Sequence, residues 1–248
     1  MYGIYSIQYD NWTKYYDPNN VELELLRQIC DFSNKTILDV GCGTGRLSFK
    51  IAPLAKKVVG VDIDEYSIAF CNEKKKLNNV SNCVFENRDA VNFTSDLKFD
   101  IICFGWSLYQ MEMEQVIKNL LPLLATDGVL IIIQPIGGMQ EEIFDVEYKK
   151  YKTPYDEIYQ KQIDICKKFF NLCNEYRIDT CFEYPSIDDA IMSNLFFYEL
   201  FNKGALKCKD TLINSLRSKL EYYYQNNLLI LSDSAQIILC KGVTTYEI

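Results

Sequence analysis

Short apolar segments rich in β-branched residues alternate with longer amphipathic segments from residue 36 onward. This alternation is typical of stacked β-α-β units around a mostly parallel sheet, with helices on both of its faces. The pattern predicts seven strands, at residues 36–40, 57–62, 83–87, 99–104, 129–134, 176–182 and 235–241. It predicts helices that begin near Gly45, Tyr66 and Glu112, and two more over residues 187–202 and 210–225. The sequence therefore predicts an α/β fold.

Two segments of the chain lie outside this predicted sheet. Residues 1–35 precede the first strand, contain a group of tyrosines and are predicted to form one or two helices, which we interpret as an N-terminal helical lid. Residues 36–248 are predicted to form the main domain. Within it, residues 137–175 begin at a Gly-Gly pair and are longer than an ordinary crossover. We interpret them as a helical insertion or lid after the fifth strand.

Composition and charge narrow the classes of partner. The 26 lysines and arginines against 34 aspartates and glutamates leave a net charge of -8, which disfavours a nucleic-acid partner. The ten cysteines include no Cys-x-x-Cys pair, so we expect reduced thiols and no metal site. No apolar run approaches the roughly 20 residues that cross a bilayer, and no secretion signal is recognisable. We therefore expect a cytoplasmic protein without membrane contact.

The strongest chemical signal is the sequence ILDVGCGTGR at residues 37–46, where a buried strand runs into a glycine-rich turn and then a helix. Glycines at such a turn let a ligand approach the backbone closely. The third glycine comes one residue too early for a dinucleotide fingerprint, and the Gly-Lys-Ser/Thr of a phosphate-binding loop is absent. The helix amides favour an anionic group and Asp39 favours a cationic one, so a zwitterion suits both.

Two further acidic residues extend this site along the predicted sheet. Asp62 ends the second predicted strand, where a carboxylate can accept both hydroxyl groups of a ribose. Asp89 follows the third strand, and its carboxylate together with the amide of Ala90 could contact the edge of an adenine. The alternative is a tight strand-to-helix turn in another α/β protein, with Asp62 as a helix cap and Asp89 as a surface acid.

Taken in order, these motifs resemble those of the class I S-adenosylmethionine-dependent methyltransferases over about residues 36–134. The resemblance implies a seven-stranded, mostly parallel sheet in the order 3-2-1-4-5-7-6, with the last strand antiparallel. It also implies S-adenosylmethionine as cofactor, with its methionine moiety at Asp39, its ribose at Asp62 and its adenine face at Ile63. The residues assigned in this way to the cofactor site are Asp39, Gly41, Cys42, Gly43, Gly45, Asp62, Ile63, Asp89, Ala90 and Phe104.

The acceptor side carries no comparable motif. The resemblance implies that the acceptor lies beyond the fourth strand, and aromatic residues near the amino terminus could complete the site, since aromatic faces suit a cationic sulfonium. The candidates for binding the acceptor are Tyr9, Trp12, Tyr15, Tyr16, Trp106 and Tyr109. The alternative for these aromatic residues is ordinary packing in the core or in a lid.

Three residues after the fourth strand are candidates for catalysis, namely Tyr109, Gln110 and Glu112. The chain contains no histidine, so any general base must be Asp, Glu, Tyr or Lys. Because a sulfonium is already a good leaving group, alignment of nucleophile, methyl and sulfur supplies most of the catalysis. We therefore expect in-line methyl transfer to a nitrogen, oxygen or sulfur atom of a small molecule, by a monomer or homodimer.

Two other functions remain open from the sequence. The acceptor could be a protein or an RNA, which would require a broad exposed binding face, and the net charge of -8 argues against RNA more than against protein. The chain could also be a methyltransferase-like binding module that holds a nucleoside or a partner chain without turnover.

Overall fold

The computed structural model describes residues 9–139, 143, 154–201 and 209–244. Its strands are β1 (Thr36–Val40), β2 (Lys57–Asp62), β3 (Cys83–Asn87), β4 (Phe99–Gly105), β5 (Leu124–Pro135), β6 (Phe170–Tyr184), β7 (Tyr224–Gln225) and β8 (Leu228–Val243). They form one eight-stranded sheet in the order β3-β2-β1-β4-β5-β8-β6, and β7 pairs with β8 outside this path.

The helices cover both faces of the sheet. They are α1 (Val21–Ile29), α2 (Arg46–Ile51), α3 (Glu65–Leu77), α4 (Met113–Leu120), α5 (Tyr155–Phe169), α6 (Ile187–Phe201) and α7 (Lys209–Leu220). Apolar side chains of α1, α2, α3, α6 and α7 pack on one face, and those of α4 and α5 pack on the other. Within the described residues, no helix combines the length and the apolar character needed to span a bilayer.

The central strands pair in parallel, from β3 through β2, β1 and β4 to β5. Strands β1 and β2 are nearly continuous in apolar residues because helices cover them on both faces. Parallel pairing brings the carboxyl ends of these strands to one side of the sheet, which we call the carboxyl edge. The glycine-rich turn after β1 and the residues that follow β2, β3 and β4 all lie at this edge.

The predicted fold class and strand order are confirmed. The last long strand, β8, lies between β5 and β6 and is antiparallel to both, as the resemblance implies. One difference concerns the helix predicted over residues 210–225, which ends at Leu220. Beyond it, β7 forms a short hairpin with β8 through Asn226 and Asn227, whose φ angles are 51° and 61°. Asparagine tolerates this left-handed conformation, which the hydrophobic pattern does not register.

The last two long strands are also longer than predicted. Strand β6 begins at Phe170 rather than at residue 176, and β8 begins at Leu228 rather than at residue 235. Many residues in these added lengths are exposed or only partly buried, so the apolar pattern is diluted there. Helix α5 packs on the sheet within the range 137–175, while residues 140–142 and 144–153 lie outside the described residues. The lid interpretation of that range stays a prediction.

The described part of the N-terminal segment lies along the carboxyl edge. Residues 9–13 are helical, and Lys74 on α3 forms an ion pair of 2.8 Å with Asp10. Tyr16 forms a β-bridge with Phe182, and the amide of Asp17 donates to the carbonyl of Cys181 at 2.9 Å. The segment is therefore attached to the outer strand β6 at one end and to α3 at the other. Residues 1–8 lie outside the described residues, and the role of a lid stays a prediction.

Candidate active site

The turn after β1 holds three glycines in left-handed conformations, with φ angles of 68° at Gly41, 52° at Gly43 and 81° at Gly45. The amides of Gly41 and Cys42 both donate to the carbonyl of Val61, so the turn is held against the end of β2. A β-carbon at Gly41 would lie 2.5 Å from Cβ of Ser107, and one at Gly45 would lie 2.6 Å from the ring of Phe49. These two glycines are required by packing.

Gly43 differs from the two glycines that flank it. The nearest atom to a β-carbon placed there is in the ring of Tyr9, at 3.9 Å, so the face of Gly43 is open. An open glycine face at the carboxyl edge is where a ligand can approach the backbone. Of the predicted cofactor residues in this turn, Gly43 therefore has the surroundings that best fit a contact with a ligand.

Asp62, at the end of β2, organises the neighbouring loop. Its carboxylate accepts hydrogen bonds from the amide of Gly43 at 2.8 Å and from the amide of Asp64 at 2.9 Å. The side-chain amide of Asn87 donates to the carbonyls of Asp62 and Ile63. These bonds connect the ends of β1, β2 and β3. Each carboxylate oxygen retains further capacity to accept a hydrogen bond, as two ribose hydroxyl groups would require.

The predicted adenine-binding residues lie beside this loop. Ile63 is 74% exposed, so its side chain is available to cover the face of a flat ring. Ala90 is buried, and the carboxylate of Asp89 accepts a hydrogen bond from the amide of Val91 at 3.0 Å. Asp89 therefore caps a short 3-10 turn, as in the alternative interpretation, and this bond leaves its other oxygen available.

Asp39 is buried in the middle of the site, with 1% of its surface exposed. Burial raises its pKa to about 6, although the hydroxyl of Ser48 donates to Oδ2 at 2.6 Å and opposes that shift. No hydrogen bond from the described residues reaches Oδ1. Asp39 does not face bulk solvent, and its free oxygen can accept a donor from a bound group.

The residues after β4 cover the glycine turn. Ser107 donates its hydroxyl to the carbonyl of Val40, and the methyl group of Met111 lies 2.7 Å from the position of a β-carbon on Gly41. Trp106 has a φ of 65°, which is rare for a residue other than glycine and often marks a functional site. Phe104 is fully buried in the core, so its side chain contributes to packing.

Most of the predicted acceptor-binding aromatics come together beside Trp106. The ring centroids of Trp12 and Tyr16 lie 5.5 Å and 4.5 Å from that of Trp106, and Tyr9 contacts Trp12 at 5.7 Å. Phe182 and Tyr184 of β6 complete what we call the aromatic cluster, whose members are Trp12, Tyr16, Trp106, Phe182 and Tyr184. Tyr15 lies at the margin of the cluster, where its ring contacts Tyr184 and Lys14 and its hydroxyl donates to Asp189 at 3.0 Å.

The catalytic candidates differ in their surroundings. Tyr109 is partly buried, and burial raises the pKa of its hydroxyl, so this residue remains protonated at neutral pH. Gln110 is exposed and donates its side-chain amide to the carbonyl of Trp106 at 3.3 Å. Glu112 is exposed at the start of α4. Tyr109 contributes electrostatically to the raised pKa of the Tyr9 hydroxyl, whereas Gln110 contacts Trp106 directly.

The sequence analysis missed a buried ion pair that joins the glycine turn to the N-terminal segment. Arg46 and Glu22 form a bond of 2.6 Å, with side chains that are 6% and 1% exposed. The guanidinium carbon of Arg46 lies 4.1 Å from the ring centroid of Trp106. Burial opposes the charge of Arg46, but the carboxylate of Glu22 holds the pKa of the guanidinium above its ordinary value. Arg46 could have been singled out from the sequence because it directly follows the glycine-rich turn. No local sequence pattern distinguishes Glu22.

A second missed residue is Asp233 on β8. It is a buried carboxylic acid whose pKa is raised to about 7 by burial. A buried acid that titrates near neutral pH is a frequent component of functional sites. No motif surrounds it in the sequence. Within the described residues, no three His, Cys, Asp or Glu side chains converge in a way that could hold a metal ion.

The site therefore meets the basic requirements of a charged nucleoside ligand. The open face of Gly43, the acceptor capacity of Asp62 and the exposed face of Ile63 follow one another along the carboxyl edge. The unpartnered oxygen of Asp39 suits an ammonium group. An open α/β sheet with a glycine-rich turn after its first strand and an acid after its second defines the class of nucleoside-binding α/β proteins.

Comparison with known proteins identifies the family. The methyltransferase domain family matches residues 31–194, so the chain belongs to it. A protein of Bacillus halodurans assigned as a methyltransferase has a solved structure that matches with a TM-score of 0.57 at 17% identity, over 90% of this chain and 99% of that one. At this identity the likeness concerns the fold, which is that of the class I S-adenosylmethionine-dependent methyltransferases. The resemblance inferred from the motifs is confirmed.

Curated relatives match over shorter lengths. A Methanocaldococcus jannaschii protein assigned as a protein N5-glutamine methyltransferase is 42% identical over 91 residues, which is 36% of this chain and 45% of that protein. A Clostridium acetobutylicum protein assigned as an RNA methyltransferase is 37% identical over 75 residues, which is 30% of this chain and 16% of that protein. The chain thus spans less than half the length of these relatives.

Proposed function

We propose that this protein transfers the methyl group of S-adenosylmethionine to a small-molecule acceptor. The observation that carries the proposal is the arrangement at the carboxyl edge, where the open face of Gly43, the carboxylate of Asp62 and the exposed side chain of Ile63 lie in sequence. Asp62 would hold the ribose, Ile63 the adenine, and the turn around Gly43 the methionine moiety. When bound, the cofactor supplies an electrophilic methyl group on a sulfonium that leaves readily.

The protein's own contribution would be alignment and exclusion of water. Tyr9 lies beside the open face of Gly43, and Trp106 lies against Arg46, which directly follows the glycine turn. Their aromatic faces favour a sulfonium electrostatically. Holding an acceptor in line with the methyl group can supply roughly 7 to 11 kcal/mol of the barrier. Because burial keeps Tyr109 protonated, this residue would act as a hydrogen-bond donor that orients the acceptor.

The enclosed surroundings favour a small acceptor over a macromolecule. Trp106 and Phe182 are buried and contact Tyr16 of the N-terminal segment, so an acceptor beside them has to be enclosed. The net charge of -8 also disfavours RNA. The relatives assigned to glutamine and RNA methylation match over less than half of this chain, so the match does not carry their acceptors over to it.

Cofactor binding can be tested by titration calorimetry with S-adenosylmethionine. We expect wild-type protein to bind it, and Asp62→Ala to weaken binding at least roughly tenfold through the lost hydrogen bonds to the ribose. Ile63→Ala should weaken binding without a structural cost, because Ile63 is exposed. Asp96→Ala is the matched control, since Asp96 is exposed just before β4 at the opposite edge of the sheet. Absence of heat with wild-type protein would refute the proposed cofactor.

The acceptor class can be tested separately. The protein would be incubated with methyl-labelled S-adenosylmethionine and a cell extract that has been divided into metabolite, protein and RNA fractions. We expect label in the metabolite fraction, detected by mass spectrometry, and its loss with Asp62→Ala. Label confined to the protein or RNA fraction would contradict a small-molecule acceptor. Cofactor binding without label in any fraction would favour a binding module.

A further inference from the structure

Asp233 is a buried carboxylate for which the described part of the chain supplies no cation. It is 8% exposed, and its one hydrogen bond there comes from the amide of Ser234, at 2.8 Å to Oδ1. Asp17, another buried acid, accepts bonds from two backbone amides, from Thr180 and from Lys50. Buried carboxylates are normally paired in this way. Within the described residues, Asp233 therefore lacks a charged partner, which a bound ligand could provide.

The strand register places Asp233 at the same edge as the cofactor residues. It lies directly opposite Thr180 on β6, two positions before Ala235, which pairs with the last residue of β5. Leu231 and Ala235, which alternate with Asp233 along β8, belong to the core on the face that contains Trp106 and Tyr16. Asp233 thus lies just beyond the carboxyl end of β5, on the face of the aromatic cluster.

The aromatic cluster faces Asp233 and contains unsatisfied polar atoms. The charge of Asp233 contributes to the raised pKa of both Tyr16 and Tyr184, for which burial is the main cause. The hydroxyl of Tyr16 and the indole nitrogen of Trp106 are buried and have no hydrogen-bond partner among the described residues. Unsatisfied buried groups are rare in folded proteins and require an explanation, which a bound molecule would supply at this position.

We infer that Asp233 and the aromatic cluster form the acceptor subsite, and that the acceptor is an amine. This inference rests on the proposed function. Arg46, paired with Glu22, already lies over the rings of Tyr16 and Trp106, so the ammonium group would be attracted by the remaining aromatic faces, and the carboxylate of Asp233 provides its counter-ion. A carboxylate or thiolate acceptor would be repelled by Asp233, and a neutral alcohol would leave its charge uncompensated.

The carboxylate of Asp233 also accepts the proton that the ammonium must lose before it can be methylated. The bound ammonium passes one N–H proton to Asp233, which frees the nitrogen lone pair. That lone pair forms the new N–C bond with the methyl carbon while the C–S bond breaks and its electron pair stays on sulfur. The product is the methylated ammonium, and protonated Asp233 returns its proton to solvent. A carboxyl group whose pKa is about 7 can accept and release this proton at neutral pH.

The two tryptophans of the chain provide the readout, since Trp12 and Trp106 both belong to the aromatic cluster. Benzylamine and its neutral isostere benzyl alcohol would be titrated at pH 8 while tryptophan fluorescence is recorded. We expect benzylamine to bind roughly tenfold more tightly, as for a charge-assisted hydrogen bond. Asp233→Asn should abolish that preference and retain the binding of benzyl alcohol. Equal affinities in the wild type, no binding of either probe, or a preference that survives in Asp233→Asn would overturn the inference.

The pH dependence of wild-type protein gives a second test that needs no variant. Protonation of Asp233 removes the counter-ion, so the preference for benzylamine should decline from pH 8 to pH 6. Among the described residues, Asp233 acts electrostatically on Tyr16, Cys181 and Tyr184, whose pKa values burial raises, so they stay neutral in this range. Arg46, which lies over Tyr16, keeps its positive charge throughout the range. A constant preference would contradict the inference. S-adenosylmethionine should bind equally to wild type and Asp233→Asn, so failure of the amine subsite is distinguishable from failure of the proposed function.

Discussion

The two halves of the candidate site are built in different ways. The donor half consists of the glycine turn and the loops after β2 and β3, where short backbone hydrogen bonds such as Gly43 to Asp62 connect neighbouring strand ends. The acceptor half consists of the aromatic cluster and Asp233, whose members come from the N-terminal segment, β4, β6 and β8. One half is a local backbone structure, and the other is assembled from distant parts of the chain.

The acidic residues at the strand ends also differ in their hydrogen bonds. Among the described residues, Asp62 accepts two backbone amides, whereas Asp233 accepts one and Tyr16 lacks a partner for its hydroxyl. The loop after β2 is therefore stabilised by its own contacts, although the donor half also contains an unsatisfied atom, Oδ1 of Asp39. The acceptor half contains groups that reduce stability in the absence of a ligand. This is common at functional sites, whose residues are selected for binding and not for stability.

The largest loss of stability is expected when the Arg46–Glu22 ion pair, which joins the two halves, is broken. Arg46→Met leaves Glu22 buried without its partner, and we expect a loss of about 3 to 5 kcal/mol in the free energy of unfolding. Urea denaturation measures this loss. Lys168→Met is the control, because Lys168 and Glu114 form an exposed pair and its loss should cost less than about 1 kcal/mol. Similar losses in the two variants would contradict a structural role for the buried pair.

Substitutions at two glycines of the donor half distinguish a glycine that packing requires from one that ligand binding requires. Gly41→Ala combines a left-handed φ with a β-carbon 2.5 Å from Ser107, and we expect it to cost about 2 to 4 kcal/mol of stability. Gly43→Ala meets open space and should cost about 1 kcal/mol. Its methyl group nevertheless occupies the open face, so calorimetry should detect weaker binding of S-adenosylmethionine. Unchanged binding in Gly43→Ala would remove this glycine from the cofactor site.

The third effect is a pH dependence that arises mainly from two buried acids. Burial raises the pKa of Asp39 to about 6 and that of Asp233 to about 7, whereas aspartates in the unfolded chain titrate near 3.9. The folded protein therefore binds more protons between about pH 4 and pH 7, and these acids lower its free energy of unfolding as the pH rises through that window.

Asp233→Asn should remove the part of the pH dependence of stability that arises from Asp233, and leave the part that arises from Asp39. At pH 8 we expect the variant to be more stable than wild type, by on the order of 1 to 3 kcal/mol. The difference should shrink toward pH 5, where Asp233 is protonated in the folded protein. Urea denaturation at several pH values measures both trends. A variant with the same slope as wild type would contradict the assignment of the raised pKa to Asp233.

The smallest changes in stability are expected from substitutions at two adjacent tyrosines, Tyr15 and Tyr16. Tyr15→Phe removes the hydrogen bond to Asp189 and should cost about 0.5 to 1.5 kcal/mol of stability. Tyr16→Phe removes a hydroxyl that has no partner among the described residues and should be neutral or slightly stabilising. Thermal denaturation of both variants distinguishes these outcomes. A larger loss of stability in Tyr16→Phe than in Tyr15→Phe would show that the hydroxyl of Tyr16 has a structural partner.

The sequence predicted the central sheet well because its signal is local. Strands β1, β2 and β3 match the predicted ranges, since each is a short run of mainly apolar residues covered by helices. The hairpin at Asn226 and Asn227 was missed because it depends on backbone conformation, which hydrophobic periodicity does not report. The beginning of β6 was missed because its residues there are largely exposed.

The sequence by itself determined the donor half, because the glycine turn and the acids within β1 and at the end of β2 owe their conformations and bonds to residues close by in the chain or in register on a neighbouring strand. Only the tertiary structure decided the acceptor half. The pairing of Arg46 with Glu22, the isolation of Asp233 and the gathering of aromatic rings depend on which distant residues exclude water from each group. Burial and charge pairing are properties of the folded surroundings, so no local pattern encodes them.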